Sequence, residues 1–216
     1  MVDTLGDFTA ALNLMLADLA LPPVGRAAIE RLVGKGSEHL IRSVLDHVST
    51  LPEDPAGQAV AAVDAEALFP AAWQSYQKHY LAINGQHSQV YPGVAEGLRT
   101  LQAQGLKLAC LTNKPTAFAR PLLRAKGLDG FFGVVFGGDA FERKKPDPLP
   151  LLKTCEALGT WPARTLMIGD SSNDAQAARA AGCPVLLVTY GYNHGEPVRA
   201  VDADGFVDSL AAIAPR

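Results

Sequence analysis

The sequence predicts an α/β protein: a doubly wound parallel sheet with a small helical domain inserted near its start. From Asp3 to about Gly85, apolar residues recur at the three- and four-residue spacing that is typical of amphipathic helices. From Tyr91 onward, short apolar runs alternate with helical patterns, which is typical of parallel strands covered by helices on both faces. The length of 216 residues suits one domain that carries a modest insert.

Four helical segments are predicted in the first part of the chain. They lie at residues 5–19, 29–33, 40–45 and 56–83, and the last is expected to be interrupted near Pro70. Their apolar stripes are typical of the packed faces of a helical bundle.

Four buried strands are predicted in the second part. They lie at residues 106–111, 134–136, 166–168 and 185–188, and helices are predicted between them at 116–126, 149–158 and 174–181. Sheets of this class bind ligands in the loops beyond the carboxyl ends of their strands.

Composition excludes several classes of protein. Hydrophobic residues make up 48% of the chain and charged residues 19%, which favours a packed core over disorder. The formal net charge of -3 argues against binding to nucleic acid or to an anionic membrane.

Cys110, Cys155 and Cys183 are dispersed, so we expect buried thiols in a reducing compartment. We expect neither a signal peptide nor a membrane-spanning segment, and we expect a cytoplasmic protein.

The loops after three predicted strands carry polar residues that suit a phosphate. Thr112 and Asn113 follow the first strand, Lys145 lies beyond the second, and Asp170 and Asp174 follow the third. Because parallel strands end at one edge of a sheet, we expect these residues to converge there. Thr112 and backbone amides would donate hydrogen bonds to the phosphate, and Lys145 would neutralise its charge. Asp170 would bind a hard cation such as Mg²⁺.

Each of these residues also has a purely structural interpretation. Thr112 could end a strand, Lys145 could be a solvated loop charge, and Asp170 could cap the following helix. Their occurrence at successive strand ends favours a shared site. Other phosphate-binding motifs are excluded by spacing: Gly34-Lys35 is not a Walker A loop because Ile29 stands where its first glycine is required, and no GxGxxG follows a strand.

Several motifs give the chain a family resemblance. Residues 111–114 (LTNK), 145–148 (KPDP) and 168–174 (IGDSSND) resemble the second, third and fourth motifs of the haloacid dehalogenase-like hydrolases. Residues 33–36 (VGKG) resemble the specificity loop of the family's small helical cap. Residues 189–195 (TYGYNHG) are similar to a stretch typical of the family's bacterial phosphoglycolate phosphatase branch.

The resemblance implies Mg²⁺-dependent hydrolysis of a small phosphorylated metabolite, with 2-phosphoglycolate as the expected substrate. It implies that Thr112 and Lys145 hold the phosphoryl oxygens and that Asn113 supports the loop of the second motif. Asp170 would ligate Mg²⁺, and Asp174 would orient it indirectly or through water.

The same resemblance implies a division of the chain into core and cap. Residues 1–10 and 88–216 would form the core hydrolase domain, and residues 11–87 would form the helical cap. Closure of the cap would exclude water and bring Lys35 to the substrate carboxylate.

The beginning of the sequence departs from the family pattern. The family opens with a strand that ends in a DxDGTLVDT-like motif, whose first aspartate is the nucleophile and whose second is the general acid and base. Residues 1–4 (MVDT) are similar to the tail of that motif, so we expect the first core strand and the nucleophile to lie roughly five residues before Met1. Asp3 and Asp7 are poor substitutes, because Asp3 matches a later position of the motif and Asp7 lies on the first helix. We therefore expect the chain as written to be inactive.

Alternatives remain open from the sequence alone. The start could be misassigned or the chain truncated, or the protein could be a pseudo-phosphatase that serves as a binding module. A phosphosugar mutase on the same scaffold is a further alternative. A dehalogenase is disfavoured because it needs no metal, and a receiver domain because its acidic residues come first. The oligomeric state cannot be read from the sequence.

Overall fold

The structure, a computed structural model, describes residues 1–33, 36–50 and 64–213. The chain divides into two compact units, Met1–Asp3 with Gln89–Arg216, and Thr4–Ser88. Lys35 lies outside the described residues, and so does the predicted helical stretch up to residue 63. The roles of the two units as core and cap therefore stay predictions.

The described part of the smaller unit contains four helices. They are α1 (Leu5–Asp18), α2 (Arg26–Leu32), α3 (Ser37–Ser49) and α4 (Ala65–Ile83). Their apolar faces meet in a core that contains Leu12, Met15 and the stacked rings of Tyr76 and Tyr80, whose centroids are 5.4 Å apart. The interruption predicted near Pro70 is wrong, because α4 continues through that residue. Pro70 lies near the start of the helix, where its missing N–H removes a single helical hydrogen bond.

The buried carboxylate of Asp7 ties the start of α1 to the chain that leaves α4. One of its oxygens accepts a hydrogen bond from the amide of Gly85 at 2.8 Å, and the other from the amide of His87 at 2.7 Å. Asp7 is fully buried. It therefore holds together the two ends of the helical unit.

The larger unit contains the strands and the remaining helices. The strands are β1 (Val2–Asp3), β2 (Gln89–Val90), β3 (Ala109–Leu111), β4 (Val134–Phe136), β5 (Met167–Gly169), β6 (Val185–Val188) and β7 (Gly205–Val207). The helices are α5 (Val94–Ala103), α6 (Thr116–Ala125), α7 (Leu149–Leu158) and α8 (Ser172–Ala181).

These strands pair in three groups. β1 pairs antiparallel with β2, β3 pairs parallel with β4, and β5, β6 and β7 form a parallel group in that order. The predicted α/β class with parallel strands and intervening helices is confirmed; the predicted absence of a first core strand stays a prediction.

The first predicted strand of this unit begins later than expected. It starts at Ala109 instead of Leu106, because the Leu106 amide still bonds to the carbonyl of Leu101 at the end of α5. Leu106 is consequently 45% exposed, whereas Cys110 in the strand is buried.

Two further expectations can be compared with the structure. Cys110, Cys155 and Cys183 are buried free thiols, as predicted. Within the described ranges, no helix combines the length and hydrophobicity that crossing a bilayer requires.

Candidate active site

The loops after β3, β4 and β5 meet around the buried ammonium of Lys145. Its Nζ donates one hydrogen bond to the carbonyl of Leu111, at the end of β3, at 2.9 Å. It donates another to Oδ1 of Asp174, in the first turn of α8, at 2.7 Å. An ammonium has three N–H donors, so one remains for a phosphoryl oxygen. The interpretation of Lys145 as a solvated loop charge is therefore wrong.

Asp174 is fixed by hydrogen bonds to both of its oxygens. While Oδ1 accepts from Lys145, Oδ2 accepts from the Ser171 hydroxyl at 2.9 Å and from the amides of Asp170 and Ser171 at 3.1 and 3.2 Å. Burial by itself raises the pKa of Asp174, but the Lys145 charge and these hydrogen bonds outweigh it, so the pKa lies below its usual value. This carboxylate is ionised, and both of its oxygens already accept hydrogen bonds. It therefore suits an indirect role toward a metal better than direct coordination.

Asp170 lies at the end of β5, and its carboxylate accepts fewer hydrogen bonds than that of Asp174. Its Oδ2 accepts a hydrogen bond from the Tyr192 amide at 3.3 Å. Burial, and next the charge of Asp174, raise the pKa of Asp170 to about 6, although Lys145 and the α-amino group of Met1 act in the opposite direction. The alternative that Asp170 caps the next helix is wrong, because α8 is capped by a capping box of Ser171 and Asp174.

Thr112 and Asn113 shape the loop after β3. The Thr112 hydroxyl accepts a hydrogen bond from the Lys114 amide at 3.1 Å, which leaves its proton available to a phosphate. The Asn113 side chain donates to the backbone carbonyl of Lys145 at 2.8 Å and so holds the loop that carries this lysine. Asp139, beyond β4, accepts from both the amide and the hydroxyl of Thr116, at 2.8 and 2.6 Å, and fixes the start of α6.

The donor set at this edge can be compared with the needs of a magnesium ion. In the part of the chain that the structure describes, no three His, Cys, Asp or Glu side chains are grouped closely enough to enclose a metal. Mg²⁺ does not require such a cage, since it is commonly held by one or two carboxylates together with water and substrate phosphate. The desolvated Asp170 carboxylate fits this pattern, because a cation would relieve its charge.

Sequence reasoning missed one part of the site, the segment after β6. Gly191 and Tyr192 contact Asp170, and Asn193 contacts the first residue of α8. In the sequence, residues 189–195 stand out only by their family resemblance. Its position at the carboxyl end of a parallel strand was the signal that could have assigned it to the same edge.

The fold and this arrangement of lysine, threonine and two aspartates define a class of protein. A sequence model of the haloacid dehalogenase-like hydrolases matches residues 3–182, and the chain belongs to this family.

The names of individual similar proteins are more specific than the name of the family. Phosphoglycolate phosphatase from Thiobacillus denitrificans is 44% identical over 214 residues, which is 99% of this chain and 89% of that protein. Phosphoglycolate phosphatase from Nitrosospira multiformis is 42% identical over 210 residues, 97% of this chain and 88% of that protein. A crystal structure from Haemophilus somnus, described as a predicted phosphoglycolate phosphatase, has a TM-score of 0.87 at 33% identity and covers 98% of this chain and 90% of its own. The chain is thus similar to phosphoglycolate phosphatases over nearly its whole length.

Proposed function

We propose that the residues around Lys145 form the phosphate and Mg²⁺ site of a phosphatase that acts on 2-phosphoglycolate. The observation that carries the proposal is the buried Lys145 ammonium, held between the end of β3 and the start of α8 with one donor left over. A buried cation at the carboxyl edge of a parallel sheet suits a small phosphate dianion. The names of the similar proteins support phosphoglycolate as the substrate.

Each residue of the site has a role in this proposal. Lys145 and the Thr112 hydroxyl donate to phosphoryl oxygens, and Asn113 keeps the Lys145 loop in place. Asp170 would hold Mg²⁺, and Asp174 orients the Lys145 side chain through their hydrogen bond. When bound, Mg²⁺ would offset the negative charge of the phosphoryl group.

The proposed reaction proceeds through an aspartyl-phosphate, and this step requires a nucleophilic carboxylate. Four candidate carboxylates are already engaged: Asp174 is bonded through both oxygens, Asp170 is assigned to the metal, Asp3 accepts the Tyr192 hydroxyl, and Asp7 is bonded to two amides. We therefore propose that none of these is the nucleophile, and that the 216-residue chain binds phosphate without turnover.

Titration calorimetry of the 216-residue chain with 2-phosphoglycolate in the presence of Mg²⁺ tests the proposed site. Thr112→Val removes the hydroxyl and keeps the shape of the side chain, so we expect binding about tenfold weaker or more, since a hydrogen bond to a charged group is lost. Thr100→Val, at an exposed position of α5, is the matched control and should bind like the parent.

The phosphate site and the exclusion of the four carboxylates as nucleophile are contradicted by different results. Equal affinity for the parent and Thr112→Val would contradict the phosphate site. Robust Mg²⁺-dependent phosphate release by the 216-residue chain would instead contradict the exclusion of the four carboxylates as nucleophile.

A further inference from the structure

The loop after β6, residues 190–193, contacts the segment after β5 at two points. The Tyr192 amide donates to Oδ2 of Asp170 at 3.3 Å. One residue later, Oδ1 of Asn193 accepts from the amide of Ser172, the first residue of α8, at 2.8 Å. One contact is to the Asp170 side chain and the other is to the first residue of α8, so the 190–193 loop can hold both in place.

Gly191 allows the loop to approach Asp170 this closely. Its φ of +112° lies in a region that favours glycine. A Cβ built on Gly191 would overlap the carboxylate of Asp170 and lie 2.7 Å from its Cβ and 2.8 Å from its Cγ. Any side chain at position 191 must therefore displace the aspartate or the loop.

The 190–193 loop is itself anchored on both sides. The ring of Tyr190 packs on that of Tyr91 with centroids 4.6 Å apart, and the Tyr192 hydroxyl donates to the carboxylate of Asp3 in β1. Asn193 is buried, and its side-chain amide donates to the carbonyl of Glu196 at 3.0 Å. Rigid anchors of this kind are what a group needs in order to orient a ligand-binding side chain.

We propose that the 190–193 loop positions the Asp170 carboxylate for its ligand, with Gly191 and Asn193 as positioning residues. Gly191 provides the space that the carboxylate occupies, Tyr192 supplies one amide donor, and Asn193 holds the start of α8. The ligand in question is Mg²⁺, so this inference rests on the proposed function.

The test compares two glycines of the same segment. Gly191 and Gly195 both have positive φ, +112° and +81°, but a Cβ at Gly195 would meet no atom within 4 Å. Gly195→Ala therefore introduces the backbone strain without the contact to Asp170. We expect Gly191→Ala to weaken Mg²⁺ binding by about tenfold or more, the usual loss when a supporting partner of a metal ligand is disturbed, and Gly195→Ala to bind like the parent.

Mg²⁺ affinity is measured by calorimetry on the 216-residue chain, and crystal structures of the parent and Gly191→Ala report the place of the Asp170 side chain. A displaced Asp170 supports the inference. An unmoved Asp170 with parental affinity overturns it, and so does an equal loss in the two glycine variants, because that outcome assigns the effect to loop strain. A parent that does not bind Mg²⁺ contradicts the proposed metal role, and the crystal structures then decide the positioning role on their own.

A second variant covers the case in which Gly191→Ala does not fold. Asn193→Ala removes the acceptor for Ser172 and leaves the space at Gly191 unchanged, so we expect about tenfold weaker Mg²⁺ binding here as well. Asn193→Asp keeps the acceptor for Ser172 but loses the donor to Glu196, so it should recover only part of the affinity. Parental Mg²⁺ affinity in Asn193→Ala would remove Asn193 from the proposal.

Discussion

Lys145→Met removes the ammonium that pairs with Asp174 but keeps an unbranched side chain of similar length. In the parent, this ammonium also bonds to the Leu111 carbonyl. It therefore links the end of β3 to the first turn of α8. The substitution tests whether this polar link stabilises the fold as well as the site.

The expected loss follows from what the substitution leaves behind. Oδ1 of Asp174 loses the donor described for it, while Oδ2 keeps its three. The side chains of Lys145 and Asp174 are only 9% and 6% exposed, so water cannot readily replace the lost partner. Removing one partner of such a buried pair costs about 3–5 kcal/mol. We expect the free energy of unfolding to fall by that amount at pH 7.

The loss should depend on pH with a defined sign. The pKa of Asp174 is lowered below its usual value of 3.8, so its ionised form contributes stability above about pH 4, and this contribution is lost as the pH falls through the lowered pKa. The difference between the parent and Lys145→Met should therefore be full at neutral pH and shrink below about pH 4.

Urea denaturation at several pH values measures both effects. Lys144→Met, at the exposed neighbouring position, is the matched control and should change the stability by less than about 0.5 kcal/mol. A loss below about 1 kcal/mol for Lys145→Met would refute the reasoning, because the pair would then behave like an exposed one. A difference that does not change with pH would refute the assignment of the effect to the Asp174 charge.

Other variants probe the remaining carboxylates. Asp170→Asn should weaken Mg²⁺ binding about tenfold or more, and calorimetry that finds parental affinity would mean that the metal site is misplaced. Because burial raises the pKa of Asp170, the same variant should be as stable as the parent or more so above pH 6 in urea denaturation. Asp139→Ala should cost about 1 kcal/mol through the loss of both bonds to Thr116, and a change below about 0.3 kcal/mol would contradict this. Asp7→Ala leaves two amides without their buried acceptor and should cost about 3 kcal/mol, whereas a loss under about 1 kcal/mol would show that water replaces the carboxylate.

That Lys145 and Asp174 lie near each other could be expected from the sequence, because each follows a predicted parallel strand. Parallel strands end at one edge, and the polar residues of Thr112–Lys114 and of the segment after β5 stand directly behind apolar runs. The strand boundaries were less accurate, as Leu106 shows. Its apolar character fits a strand, but its amide is used to end α5.

The contacts within the site could not be predicted in the same way. That Asn113 bonds to the Lys145 carbonyl, or that Gly191 makes room for Asp170, depends on distances between loops that are far apart in the chain. Glycine at position 191 fits any turn after a strand. Its requirement comes from the neighbouring aspartate, which only the folded arrangement reveals.

The different roles proposed for Asp170 and Asp174 also depend on contacts that form only in the folded protein. The two residues are chemically alike and four positions apart, and the sequence placed both at the metal. Their partners make them different. Asp174 receives Lys145, a hydroxyl and two amides, and its pKa falls, whereas Asp170 has the 3.3 Å bond from Tyr192, and its pKa rises to about 6. A cation gains most from the carboxylate whose charge is least compensated, because there it replaces lost hydration without displacing an existing partner. These partners support the proposal that Asp170 binds the ion and that Asp174 orients Lys145.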